Sequence, residues 1–371
     1  MAQYIDFKPG DYYNTTLYTG NGTAIGSGGN AVTGVGFSAD LTWIKCRSTG
    51  QGHQVFSSPQ GVTKMVWPDD AGAQATRAES LTAWGADGFT FGSDGDVNTN
   101  TDTYASFNWY GGTTTGLTGG DITPTAYSIN TTACQGIYTY TGTGSNATIA
   151  HGLGKVPTLI LVKCTSNAGS WSVYQGNVGY NSGATTAAGD LDMTLDDSNA
   201  RTPSSDMWND TDATSTVFTV GTNAQTNTNT YTYVAYVFCD VPGYCQTGAY
   251  KGNNNSDGPF QYLGFQPSWL MIKNRDSGGP SSYGWAMMTD QYGMNGPAVD
   301  GSLDFGTNYV TGIFYADQVN AIQSHVGFDL LSNGFKIRQS GVTQNSTDFY
   351  QYTAFAAQPL VGKNETPGVA R

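Results

Sequence analysis

Oxygen-bearing side chains alternate along Asp94-Gly95-Asp96-Val97-Asn98-Thr99-Asn100-Thr101-Asp102. That pattern suits a hard cation such as calcium, with Asp94, Asp96, Asn98, Asn100 and Asp102 as ligands. The stretch is not an EF-hand loop: Thr99 stands where glycine is needed, and no glutamate closes it. Comparable stretches at Asn227-Thr228-Asn229-Thr230 and Asn345-Ser346-Thr347 lose most of the acids. A hairpin tip rich in turn formers is therefore the favoured reading, and no cofactor is expected beyond calcium at this one tip.

Other reactive groups are sparse. The three histidines, His53, His151 and His325, form no metal or catalytic spacing and read as turn or surface residues. Gly26-Ser27-Gly28-Gly29 lacks the strand-turn-helix setting of a nucleophilic serine. Paired acids such as Asp69-Asp70 and Asp196-Asp197 lie in polar loops, and Glu79 and Glu365 are the two glutamates, a poor supply for a glycosidase. No catalytic residue is assigned and no enzyme activity is expected. The tyrosines Tyr180, Tyr283, Tyr292 and Tyr309 lie in polar loops and are the candidate ligand-binding residues, for a sugar or a docking protein. The alternative is that they pack inside.

The elements that must position these groups repeat. Gly264-Phe265-Gln266-Pro267-Ser268-Trp269-Leu270-Met271-Ile272-Lys273 has counterparts at Gly154–Lys163 and Gly36–Lys45, with glycine nine positions before lysine each time. The second keeps the proline as Pro157; the first has Ala39 there. Each counterpart predicts a buried strand. Each third also opens on a Tyr-containing strand before a Gly/Asn turn, and closes on alternating strands such as Gly88–Phe91, Val217–Val220 and Gly334–Ile337. Last come Tyr104–Phe107, Tyr233–Tyr236 and Tyr352–Phe355. The lysines Lys45, Lys163 and Lys273 read as strand-end gatekeepers that keep an edge soluble, or else as a set meeting carboxylates between domains.

Composition agrees with strands. Of 371 residues 50 are glycine, aromatics make 13%, and charged residues make 12%. The fold class expected is all-β, with three tandem antiparallel β-sandwich repeats of jelly-roll type. The expected divisions are an N-terminal arm (1–16), repeat one (17–111), a flexible Gly/Thr linker (112–133), repeat two (134–243), repeat three (244–360) and a tail (361–371). Three sandwiches in file would make a rod.

A net charge of −13 repels nucleic acid and anionic membrane, so neither is an expected partner. The five cysteines are odd in number and form no Cys-x-x-Cys pair, which points to buried thiols rather than a disulfide framework. The N-terminus shows no signal-peptide pattern, so synthesis in a cytoplasm without secretion is expected.

One resemblance adds to this. Asn14-Thr15-Thr16-Leu17-Tyr18-Thr19-Gly20-Asn21-Gly22, Thr33–Phe37, Asp40–Lys45, Gly61–Lys64, Asp87–Asp94 and Asn108-Trp109 carry it, with Leu263–Arg275 nearly as close. These stretches resemble a repeat domain family of virion structural proteins in marine tailed bacteriophages, jelly-roll-like and of tail-fibre or decoration type. Ala39 and Cys46 depart from its pattern. The resemblance implies a non-enzymatic part of the virion surface, a tail fibre, tail-associated adhesin or capsid decoration protein. Its implied partners are other capsid or tail proteins and a host surface glycan met through variable loops. A homotrimer is expected on the ground that three chains can cover each other's edges. The alternatives are a polysaccharide depolymerase and a secreted bacterial adhesin.

Overall fold

The computed structural model describes residues 5–176, 187–279, 284–291 and 309–359. It is nearly all β, built from antiparallel sheets. The three lysine-ended segments form strands Leu41–Cys46, Leu159–Cys164 and Phe265–Asn274, buried at every residue. Strands buried at every residue need cover on both faces. The same neighbours surround each strand. On one side lie Gln54–Ser57, Ser172–Gln175 and Ala286–Thr289. On the other lie the closing strands Thr103–Trp109, Thr232–Phe238 and Phe349–Pro359. Opening strands Tyr13–Thr19, Gln135–Thr141 and Cys245–Lys251 then pair with the closing strands.

Register corrects one expected equivalence. Tyr104 faces Cys46 and Tyr233 faces Cys164, but in the last third it is Tyr350, not Tyr352, that faces the corresponding Asn274. Ring stacking agrees: Tyr18 on Tyr104, Tyr140 on Tyr233 and Tyr250 on Tyr350, with centroids 5.0, 5.2 and 5.2 Å apart.

A second layer covers the outer face of each main sheet. Asn30–Thr33 pairs with Gly88–Phe91, Ala147–Ala150 with Val217–Val220, and Phe260–Tyr262 with Gly334–Ile337. In the last third Tyr309–Tyr315 and Gln323–Leu331 carry the main sheet round into this layer, giving one eight-stranded sheet.

Alternation along each central strand splits its side chains between two cores. Ile44 and Cys46 face the first third's own core, while Leu41 and Trp43 face a core shared by all three thirds. Leu270 and Ile272 likewise face inward in the last third, while Trp269 and Met271 join the shared core. At its centre Trp109, Phe238 and Phe355 meet, with ring centroids 6.0, 5.5 and 5.5 Å apart. Each sits at the same register position, opposite Leu41, Leu159 and Trp269. The three thirds therefore close around one apolar core instead of following each other in a rod.

Two expected boundaries also move. Residues 112–133 are not a free linker: Ala126–Asn130 is a strand of the second third's sheet, and Thr113 exchanges main-chain hydrogen bonds with Ile129. The N-terminal arm ends earlier than residue 16, because Tyr13 already pairs with Trp109. The tail 361–371 lies outside the described residues.

Candidate functional site

The polar groups that could do chemistry gather at the seams between thirds, and each seam is built alike. A loop after the second central-sheet strand reaches onto the next third. Gln74 N–H donates to Thr165 O at 3.0 Å, Arg201 N–H to Arg275 O at 3.0 Å, and Ile322 N–H to Arg47 O at 3.2 Å. The first third thus docks on the second, the second on the third, and the third on the first.

Side chains reinforce each seam from the other direction. The Trp171 indole N–H donates to Trp67 O at 2.7 Å, and the Trp285 indole N–H to Thr194 O at 2.8 Å. In the remaining seam His53 takes the tryptophan's place, with Nε2 2.9 Å from Tyr315 O. Its Nδ1 accepts from the Trp43 indole N–H at 2.9 Å, so Nε2 must carry the hydrogen. Burial and the nearby Lys45 charge hold this imidazole neutral, its pKa well below the ordinary value. The surface-histidine reading is therefore corrected for His53, and for His151, which is also buried and has Nε2 3.0 Å from Thr214 O. His325 lies in Gln323–Leu331.

The three lysines complete the seams. Lys45, Lys163 and Lys273 are 0% exposed. Lys163 Nζ donates to Asp70 O at 3.1 Å, Lys273 Nζ to Ser198 O at 3.1 Å, and Lys45 Nζ to Val319 O at 3.0 Å, each across its seam. They are not edge gatekeepers, because another third covers the face they point from. Burial lowers each ammonium pKa to about 8.

Three buried carboxylates stand near them. Asp69 accepts from His53 N–H at 2.6 Å, Asp196 from Trp171 N–H at 2.9 Å, and Asp317 from Trp285 N–H at 2.8 Å. Burial raises the pKa of all three, to about 6 for Asp69 and Asp317. The lysine charge pulls the other way in each case. Perturbed lysines and acids together often mark catalysis. Here every one of them holds a loop or a carbonyl at a seam.

The sequence gives partial access to this set. His53, Trp171 and Trp285 follow their lysines by 8, 8 and 12 positions, a usable spacing. Asp69, Asp196 and Asp317 follow those residues by 16, 25 and 32, so spacing hides them.

The candidate calcium ligands do not converge. Asp94 caps the short helix Gly95–Asn98 by accepting from Asp96 N–H, and both acids pair with Arg77. Asp102 accepts from Ser48 and Thr49 at 2.9 and 3.0 Å. Asn98 is buried, accepting from Asn21 N–H at 2.8 Å and donating to Gly92 O at 2.7 Å. Asn100, the fifth, is exposed beside Gly22. Asn227 and Asn345 repeat the role of Asn98, bridging Thr143 N to Gly221 O and Asn253 N to Gln339 O. The tips are thus asparagine-locked turns. Among the described residues no three His, Cys, Asp or Glu side chains form a metal-binding group.

Of the candidate tyrosines, Tyr180, Tyr283 and Tyr292 lie outside the described residues. Tyr309 begins a strand and is paired in register with Asp329. All five cysteines are buried and free, as expected. A surface groove of about 260 Å³ runs between the loop at Asp240–Gln246 and the turn at Tyr262–Gly264. Tyr262 is 54% exposed there, beside Gln246 and Asp240. An aromatic face with an amide and an acid can hold a ligand that has one apolar and one hydroxyl-rich side.

Fold and seams together define an all-β protein closed on a shared core, with Lys45, Lys163, Lys273 and His53 bonded across the seams. The chain belongs to a family described as a domain of unknown function (DUF7483), whose model matches residues 8–359. The match runs through all three thirds, so the unit the family shares is the whole ring. No curated protein matches the chain.

Proposed function

We propose that this protein is a non-enzymatic structural component of a tailed-bacteriophage particle surface, a tail-associated adhesin or a capsid decoration protein, and that its three thirds are copies of one ancestral unit. One observation carries the non-enzymatic part of this reading: the buried lysines, acids and His53 each hold a seam. The phage setting is supported by the resemblance of the strand and turn motifs. A closed ring with its connections on the outside suits a rigid mount for recognition loops. The groove at Tyr262 is the described surface best suited to a host glycan or a neighbouring virion chain.

The expected homotrimer is proposed with a changed geometry. The three thirds of one chain already close on each other around a shared core, so a trimer of chains would use outer surfaces. A solution mass of three times 39.2 kDa would establish it.

The test is quantitative protein analysis and immunolabelling of purified particles of the phage that encodes the chain. Surface labelling with a fixed copy number is the expected result. Absence from purified particles would overturn the reading.

A further inference from the structure

Two of the buried free thiols lie opposite each other. Gln135 faces Phe238 at one end of the ladder between Gln135–Thr141 and Thr232–Phe238. The next residues outward are Cys134 and Cys239, and Cys239 N–H donates to Cys134 O at 3.0 Å. They therefore continue the ladder as a hydrogen-bonded cross-strand pair. Cα atoms in such a pair lie about 5.5 Å apart, inside the span of roughly 4.4–6.8 Å that a disulfide bridges.

The side chains point the same way. Both sulfurs reach carbonyls of one turn, Cys134 Sγ 3.9 Å from Leu153 O and Cys239 Sγ 3.6 Å from Lys155 O. The two thiols also hydrogen-bond each other. Cys245 is a third thiol nearby, but its main chain pairs with Val241 and Phe355 and with neither cysteine. We propose that Cys134 and Cys239 are a redox modification site, closing to a disulfide when the folded protein meets a small-molecule disulfide such as oxidised glutathione. One cysteine, as thiolate, attacks a glutathione sulfur and releases one glutathione; the other attacks the mixed disulfide and releases the second. The two protein thiols give up two protons and two electrons, and oxidised glutathione takes them up as two thiols.

Placement governs both access and effect. Both cysteines are buried, so the closed ladder shields them. Cys134 precedes the opening strand and Cys239 follows the closing one, and strand ends open more readily than centres. Cys134 also has a left-handed backbone, with φ 53°. A bond formed there is strained, so a dithiol reopens it. Phe238, beside Cys239, is one of the three rings at the centre of the shared core. The bond would pin that strand end by joining positions 105 apart in the chain. The ring would thus close with free thiols and be fastened afterwards, when its surroundings turn oxidising.

The test treats the native full chain with oxidised glutathione, blocks the remaining thiols in denaturant and maps the peptides without reduction. The expected product lacks the mass of two hydrogens, links Cys134 to Cys239, and keeps Cys46, Cys164 and Cys245 as blocked thiols. Its Tm should exceed that of the reduced protein by on the order of 5 °C and fall back in dithiothreitol. Cys245→Ser should respond as wild type does, and Cys134→Ser should lose the gain. The wild-type peptide map decides the matter even if Cys134→Ser fails to fold. Five unmodified thiols, a lasting glutathione adduct or a link through Cys245 would each overturn the proposal.

Discussion

The indole N–H of Trp171 donates to the carbonyl of Trp67 across 2.7 Å and 104 positions of chain. The bond joins two thirds, and removing the donor leaves a partly buried carbonyl without its partner. Trp171→Phe keeps most of the ring and should cost roughly 1–3 kcal/mol in urea unfolding. Trp171→Ala also empties part of the shared core and should cost roughly 3–5 kcal/mol. A Trp171→Phe loss near zero beside a large Trp171→Ala loss would mean the hydrogen bond contributes nothing.

The buried lysines make a second prediction. Lys163 opposes the charge of Asp196 within a covered seam. Lys163→Met should destabilise by roughly 3 kcal/mol at pH 8, where Asp196 would be an uncompensated buried charge. The loss should shrink as the pH is lowered, because burial raises the Asp196 pKa and so favours its neutral form. The double variant Lys163→Met/Asp196→Asn should recover most of the stability. A loss independent of pH would show that the lysine acts by packing alone.

The same groups fix an unusual pH profile. Asp69 and Asp317 have folded pKa values of about 6 against 3.8, so the folded state binds more protons between those limits. Their contribution is full below pH 3.8 and is lost as pH rises through 6. The lysines run from about 8 folded to 10.5 unfolded, so the unfolded state binds more protons there. Their contribution is lost as pH falls through 8. Stability should therefore show a shallow minimum between pH 6 and 8. Exposed acids with lowered pKa, such as Asp87 and Asp121, oppose the acid limb, but solvent screens them. Comparison with Asp69→Asn isolates the limb: that variant should flatten it, and an unchanged slope would remove Asp69 as its source.

Much of the fold was legible from the nine-position glycine-to-lysine spacing, because a buried strand with a fixed pairing partner tolerates few changes of length. The Tyr352 error had a local cause. Tyr352-Thr353-Ala354-Phe355 matches Tyr104-Ala105-Ser106-Phe107 by residue type, yet Asn345 is five positions before Tyr350 where Asn98 is six before Tyr104. The tip of the last third is one residue shorter, and Tyr350 rather than Tyr352 takes the position opposite Asn274. The lysines were misread for a tertiary reason. A lysine ending a strand looks exposed until another third is known to cover that face, and nothing local encodes the cover. The seam acids were hidden because the chain between them and their partners varies in length while the docked geometry does not.

The asparagine tips carry the last prediction. Asn227 accepts from Thr143 N–H at 2.7 Å and donates to Gly221 O at 2.8 Å and Ser145 O at 2.6 Å, all while fully buried. Beside it, a Cβ added at Gly142 would meet Thr228 O at 2.3 Å, so the opening turn presses directly on the tip. Asn227→Ala would strand one donor and two acceptors and should cost roughly 2–4 kcal/mol. Asn227→Asp should cost more above the acid range. A carboxylate can still accept from Thr143 but repels the two carbonyls that the amide served. Gly142→Ala should be destabilising as well, since backbone rather than a flexible side chain must yield. The two sites act on one contact, so their double variant should lose less than the sum of the single losses. Strict additivity in urea unfolding would show that the turn and the tip are energetically separate.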